Sequence, residues 1–368
     1  MRIVFAGGGT GGHLYPGLAI ANAVRALDPG VALYFIGAER GIEREILPSS
    51  GFNYLLLDLH PLYRSRPWEN WRTLAGLARA YGAIGREFAR EMPALVVGTG
   101  GYASGAALGY AGTRGIPIAL QEQNGEPGIT TRFFAPQARA VFLGVPEAAQ
   151  RLRVQDPSVL RDTGNPITPP PEPRPDRGAA RHAWGFPERD GLVLLAFGGS
   201  QGARGMNEAM AAWIARGLPP FVHIIWGTGR AAFDRYAHLA RPGLAVRAYL
   251  SPIADAYAAA DLAFTRAGAL TLAELCAWGI PSVLVPLPTA AADHQTANAR
   301  ALERAGGAVM LPERELTVDR LDAVMRGLLS DGARLRALAD GARARARPHA
   351  AHEIAQQVLT IAREASAT

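Results

Sequence analysis

Three glycine turns, one histidine and one glutamate carry the chemical signal of this chain. Gly7-x-Gly9-x-x-Gly12 follows the apolar run Ile3–Ala6, and His13 stands where a helix should open. A strand that passes through glycine into a helix aims unpaired backbone N–H groups and the positive end of the helix dipole at the turn, which suits a phosphate. A neutral imidazole with a pKa of about 6.5 beside such a seat can take a proton from an attacking hydroxyl. A second turn runs Gly98-Thr99-Gly100-Gly101-Tyr102-Ala103-Ser104-Gly105, so Gly9, Gly100, Gly101, Tyr102 and Ser104 could cradle a pyrophosphate between two loops of one sheet edge. A third seat is expected where the strand Asp261–Phe264 turns through Thr265–Gly268 into a helix opening at Ala269-Leu270-Thr271-Leu272-Ala273-Glu274. There the Glu274 carboxylate could accept two hydrogen bonds from a ribose diol. Gln121-Glu122-Gln123-Asn124 end another apolar run, and Glu122 is the second candidate for a base.

Gly7, Gly9 and Gly12, with Glu39 after the next apolar run, also fit a dinucleotide fingerprint and hence a dehydrogenase. Against that stands the repetition of the strand and glycine turn in the other half, Leu194–Phe197 followed by Gly198-Gly199-Ser200-Gln201-Gly202, since a dinucleotide enzyme needs one such site.

Composition removes several chemistries. All 38 Lys and Arg residues are arginine, so the phosphate lysine of P-loops, the kinase strand lysine and Schiff-base chemistry are excluded. The single cysteine, Cys276, rules out a disulfide framework, and no Asp-x-Asp pair or His-x-x-x-His spacing suggests a metal site. A diphosphate leaving group would then be met by helix ends and arginine, with no metal. The net charge of +6 fits an anionic partner. The chain opens directly on a strand and no apolar run is long enough to cross a bilayer, which predicts a protein that is soluble or attached at a surface.

These turns need sheets to hold them. Apolar runs at Ile3–Ala6, Val31–Ile36, Ala94–Val97, Pro117–Leu120 and Ala140–Leu143 alternate with helix-length segments, which predicts right-handed βαβ crossovers and a doubly wound parallel sheet. Runs at Leu192–Phe197, Val222–Trp226, Leu244–Leu250, Asp261–Phe264, Ser282–Pro286 and Ala308–Leu311 predict a second sheet. The proline-rich stretch Gly164–Pro175 reads as a stiff linker. The expected fold is α/β, with two Rossmann-like domains facing across a cleft: residues 1–163, residues 164–348, and a helix at 349–368 packing back on the first. Between His60 and Arg90, Trp68, Trp71, Leu74, Leu77 or Ala78, Tyr81, Ile84 and Phe88 keep helical spacing as a core-facing stripe. Arg72, Arg79 and Arg86 share another face, and with Tyr63, Arg64 and Arg66 they could rest on anionic headgroups. No recognition motif accompanies the charge, so nucleic acid is not expected.

Together the blocks Gly7–His13, Gly98–Gly105, Gln121–Asn124, Gly164-Asn165-Pro166, Gly198–Ala203, Arg266–Thr271 with Glu274, and His294-Gln295 with Asn298-Ala299 resemble the MurG family of cell-wall glycosyltransferases. The resemblance spans the chain and implies a glycosyltransferase-B fold. It also implies inverting, metal-independent transfer of N-acetylglucosamine from UDP-N-acetylglucosamine to the 4-hydroxyl of a lipid-linked muramyl-pentapeptide, at the cytoplasmic face of the membrane. UDP-N-acetylglucosamine is then a substrate, no cofactor is implied, and other cell-wall synthesis enzymes are implied partners. By the same resemblance Thr10, Gly11, Gly12 and Asn124 contact the donor sugar. Ser200, Leu250, Ala269 to Glu274 and Gln295 seat UDP, with the Leu250 backbone on uracil. The two glycine loops hold the acceptor pyrophosphate, His13 is the base, and the segment from Tyr63 with Trp68 faces the membrane. Two departures stand out: Thr168 occupies a position where the family often carries arginine, and Thr289-Ala290-Ala291-Ala292-Asp293 is less polar than usual. The alternative is a related glycolipid or natural-product transferase using a UDP-sugar.

Overall fold

The structure, a computed structural model, describes residues 1–59, 70–188, 190–199 and 202–367. The chain divides into two compact units: one comprises residues 1–168 together with the C-terminal segment from His349, the other residues 169–348.

Unit 1 is built on strands β1 (Arg2–Gly7), β2 (Ala32–Ala38), β3 (Asn53–Leu57), β4 (Leu95–Gly100), β5 (Ile118–Glu122), β6 (Ala140–Leu143) and β7 (Leu160–Asp162). They form one parallel sheet in the order β3-β2-β1-β4-β5-β6-β7. Alternate side chains of β1 enter two different cores. Val4 and Ala6 pack with Ile84, Phe88 and Leu108 on one face, and Ile3 and Phe5 pack with Leu14, Ile20, Ile354 and Val358 on the other. Burial on both faces is why the strand reads as an unbroken apolar run. The outer core is completed by the helix Ala350–Ala367, which packs on the helix Gly11–Leu27 and is tied to it by Arg363 donating to Asp28 at 2.7 Å.

Unit 2 repeats the plan with β8 (Leu192–Phe197), β9 (Val222–Gly227), β10 (Leu244–Arg247), β11 (Leu262–Thr265), β12 (Ser282–Leu284) and β13 (Ala308–Met310), all parallel, in the order β10-β9-β8-β11-β12-β13. In each sheet the strand order reverses direction once, between β1 and β4 and between β8 and β11. Crevices at the carboxyl ends of such strands are where α/β proteins seat ligands.

All six expected strands of unit 2 are present, whereas β3 and β7 of unit 1 were not anticipated. Both are sheet edges: β3 is exposed at Asn53 and Tyr54, and β7 is only three residues long, so neither shows a fully apolar run. The second glycine block is not a loop. Gly98-Thr99-Gly100 continue β4, and the helix Gly101–Thr113 begins at the next residue. The stretch after Gly164 has no regular structure, but Asn165, Pro166 and Ile167 are buried within unit 1.

Replacing Ile354, which is fully buried between sheet and helix, by Ala should destabilise unit 1 by about 2–5 kcal/mol. The same change at exposed Thr360 should cost less than about 0.5 kcal/mol, with urea unfolding as the readout.

Candidate functional site

At the unit 1 switch point the two strand-to-helix turns lock together through a main-chain bond and one threonine hydroxyl. Gly8 N–H donates to the Gly100 carbonyl at 3.2 Å, and Thr99 Oγ1 donates to the His13 carbonyl at 2.7 Å. A Cβ on Gly101 would collide with the Gly8 carbonyl, and one on Gly7 with Thr99 Oγ1, so both positions admit only glycine at this approach. Gly9, Gly100 and Gly101 also have φ of 98°, 103° and 82°. The helices Gly11–Leu27 and Gly101–Thr113 therefore present their N-termini side by side, with Thr10 and Gly100 as N-caps that make no side-chain capping bond. His13 lies in the first turn, half-buried. Its Nδ1 is 3.2 Å from the Gly8 carbonyl and 3.4 Å from Thr10 Oγ1, and a Cβ on Gly100 would approach its ring. Tyr102 packs over Gly9, and burial raises its phenol above the ordinary range.

The structure gathers Thr10, Gly11, Gly12, His13, Gly100, Gly101 and Tyr102 at this point, but not Ser104. The Ser104 hydroxyl is fully buried beneath Gly98, on the core side of its helix. Glu122 is also buried. Its Oε1 accepts from Asn124 N–H at 3.0 Å, and its Oε2 accepts from Gly128 N–H at 3.0 Å and Thr131 Oγ1 at 2.6 Å. That carboxylate organises the loop carrying Asn124, which is half-buried. Gln121, Gln123 and Asn165 cross-link behind it: Gln121 Nε2 donates to Asn165 Oδ1, and Asn165 Nδ2 to the Gln123 carbonyl. Sequence reading missed Glu43, which is fully buried and accepts the Gly9 N–H at 2.8 Å, while Glu39 is exposed. Its one signal is the glycine-flanked position between Gly41 and a short helical turn.

In unit 2 a cavity of about 550 Å³ opens at the switch point, lined by Gly199, Ala203, Thr265, Arg266, Gly268 and Gln295 among others. The helix Ala269–Trp278 starts at its edge behind Gly268, which has no side chain to cap it and no acidic residue in the first turn. The turn is fixed from a neighbouring helix. Gln295 Oε1 accepts from Ala267 N–H at 3.2 Å and Leu287 N–H at 3.0 Å, and Asn298 Nδ2 donates to the Ala267 carbonyl. The buried Arg266 guanidinium donates to the Val285 and Pro286 carbonyls and pairs with Glu313 at 2.7 Å. Glu274 is oriented by Tyr257, whose hydroxyl donates to Oε2 at 2.7 Å. Burial raises the Glu274 carboxyl above its usual value, and the Tyr257 bond partly offsets this. Nothing in the spacing announces Tyr257, which comes from the separate helix Ile253–Ala259. The Leu250 side chain is buried in the core, so only its backbone can face a ligand.

Several expected residues lie beyond this description. Ser200, Tyr63, Arg64, Arg66 and Trp68 fall outside the described residues, and so does the side chain of Arg72. Arg79 and Arg86 are exposed on the helix Asn70–Arg90, and Arg79 lies 3.7 Å from Asp58. Among the described residues no helix is long and apolar enough to cross a membrane, and no three His, Cys, Asp or Glu side chains gather as metal ligands.

Two Rossmann-like sheets, each with a glycine turn and a helix N-terminus at its switch point, are the elements of the GT-B fold. Residues 3–143 match the glycosyltransferase family 28 N-terminal domain and residues 193–358 the family 28 C-terminal domain. The chain belongs to glycosyltransferase family 28, in its MurG group. It is 41% identical over 371 residues to the UDP-N-acetylglucosamine--N-acetylmuramyl-(pentapeptide) pyrophosphoryl-undecaprenol N-acetylglucosamine transferase of Moorella thermoacetica, covering 98% of each chain. It is 42% identical to the transferase of the same name from Salinibacter ruber, over 98% of this chain and 97% of that one. Among solved structures it is similar to MurG of Acinetobacter baumannii, with a TM-score of 0.78 and 25% identity over 98% of this chain and 99% of the other.

The raised Glu274 carboxyl has a consequence for stability. Folding favours its protonated form, so its contribution is fully present below the ordinary value of 4.5 and is lost as pH rises through the higher folded value. Glu274→Gln removes that loss, so the melting temperature of the variant minus that of the parent should grow as pH is raised from 4 to 8. A flat difference would contradict it.

Proposed function

We propose that this enzyme transfers N-acetylglucosamine from UDP-N-acetylglucosamine to the 4-hydroxyl of a lipid-linked muramyl-pentapeptide, with inversion and without a metal. The observation that carries the reading is the 41% identity, over 98% of both chains, to a transferase named for this donor and acceptor. The geometry of both switch points supports the roles that follow.

UDP sits in the unit 2 cavity. Its diphosphate meets the N–H groups at Ala269 to Thr271, where the helix dipole favours negative charge, with Arg266 in the cavity wall. Arg266 is the arginine we assign in place of the one the family often carries at Thr168, which is exposed here. Glu274, steadied by Tyr257, accepts from the ribose diol. The Leu250 backbone meets uracil, and Gln295 holds the turn and offers its amide to the sugar. In unit 1 the turns at Gly9 and at Gly100, Gly101 and Tyr102 hold the acceptor pyrophosphate, and Thr10 to Gly12 with Asn124 reach the donor sugar. As the acceptor oxygen attacks the anomeric carbon, the bond from that carbon to the diphosphate breaks. UDP departs with the electron pair, and His13 takes the hydroxyl proton. Single in-line displacement inverts the anomeric centre. Backbone dipoles fixed in advance meet the charge that develops on UDP.

The hydrogen bonding of Glu122, whose two oxygens already accept from the loop that follows, favours His13 over it as the base. Exposed Arg79 and Arg86 and the charge of +6 support peripheral attachment to an anionic membrane at its cytoplasmic face.

His13→Ala should lower turnover about a hundredfold, and a loss under about threefold would remove it from the role of base. Glu274→Ala should weaken UDP binding by about 1.5–3 kcal/mol by calorimetry, and unchanged affinity would detach it from the ribose. Radiolabelled UDP-N-acetylglucosamine offered with lipid-linked muramyl-pentapeptide or with diacylglycerol tests the acceptor. Label passing only to diacylglycerol would replace this reading with that of a glycolipid transferase.

A further inference from the structure

The Gly8–Gly9 peptide is gripped at both ends. Its N–H, on Gly9, donates to Glu43 Oε1 at 2.8 Å, and its carbonyl, on Gly8, lies 3.2 Å from His13 Nδ1. Glu43 is fully buried, and its Oε2 has no hydrogen-bond partner. The space it fills is made by missing side chains. A Cβ on Gly41 would collide with Oε2, one on Gly37 would lie 2.8 Å from Cγ, and one on Gly8 would lie 3.2 Å from Oε1. A buried carboxyl is costly to keep unless something depends on it. Among the described residues, its hydrogen-bond partner outside its own turn is the peptide that the histidine also holds.

We propose that Glu43 is a positioning residue for His13, acting through the Gly8–Gly9 peptide. An acceptor on the N–H of an amide polarises the group and strengthens its carbonyl as an acceptor in turn. The Gly8 carbonyl then holds the proton on Nδ1, so the lone pair resides on Nε2, the nitrogen that takes the acceptor proton. The division of labour matches a carboxylate behind a catalytic histidine, with one peptide unit inserted between them. Thr10 Oγ1, at 3.4 Å from Nδ1, is a longer contact on the same nitrogen. Tyr102, packed over Gly9, is the ionisable group whose charge couples to Glu43, and Arg40 acts on Tyr102 in turn. Burial raises the Glu43 carboxyl, and its own backbone N–H and that of Gly9 offset this only in part.

The inference rests on His13 being the base, and the test separates the two. Turnover, the KM for UDP-N-acetylglucosamine and melting temperature are measured on the full chain for E43M, E43Q, H13A and the E43M/H13A pair. E43M, which keeps volume but has no acceptor, should lower kcat about tenfold and leave that KM within about twofold. E43Q, which can still accept the Gly9 N–H, should recover kcat to within about threefold of the parent. Adding E43M to H13A should change kcat by less than about twofold, because its effect passes through the imidazole. Additive losses in the pair, or an E43M kcat within about twofold of the parent, overturn the proposal. H13A losing less than about threefold overturns the base assignment instead. Should E43M fail to fold, the parent protein decides the matter: 15N-histidine spectra must contain an Nδ1–H tautomer that vanishes in H13A, and an Nε2–H signal for His13 overturns the proposal.

Discussion

Two strand-to-helix turns in unit 1 approach so closely that no side chain fits where Gly101 meets Gly8. The Gly101 Cα sits against the Gly8 carbonyl, and Gly8 N–H bonds to the Gly100 carbonyl. From this contact follow the pairing of the two helix N-termini, the left-handed backbone at Gly9, Gly100 and Gly101, and the bearing of His13. The binding surface here is mostly main chain. Main-chain dipoles held by a packed sheet do not reorganise when charge develops beside them, which is the property an enzyme handling diphosphates needs.

Unit 2 reaches a comparable arrangement by other means. Its turn at Arg266-Ala267-Gly268 is held by side chains from neighbouring elements, with Gln295 and Asn298 on Ala267 and Glu313 on the Arg266 guanidinium. The polar residues of that motif thus spend much of their hydrogen-bonding capacity on the protein itself. Gln295 illustrates the point: its carbonyl oxygen takes two backbone N–H groups, and only its amide end can serve a ligand.

Carboxylates follow the same logic. Buried Glu122 and Glu43 and half-buried Glu274 all lie near the expected sites, yet they face different tasks. Glu122 is committed to the backbone of the loop after β5, Glu43 to a single peptide, and Glu274 to one tyrosine hydroxyl. Residue type alone cannot separate a base from a brace. The number and kind of donors that surround each carboxylate does so.

The chain's own letters determined the two parallel sheets, the three turns, and the placing of His13 in the first turn of one helix and of Glu274 within another. Those features depend on period and on glycine spacing, which are local. Edge strands β3 and β7 escaped notice because partial exposure weakens the apolar signal. The second glycine block was read as a loop because spacing does not reveal that Gly98 and Thr99 extend β4. Only the tertiary structure decided that Glu43 rather than Glu39 turns inward, that Ser104 faces the core, and that Tyr257 reaches Glu274 from another helix. In each case the outcome hangs on distance between residues far apart in the chain, and such distances are set by packing, which no local pattern encodes.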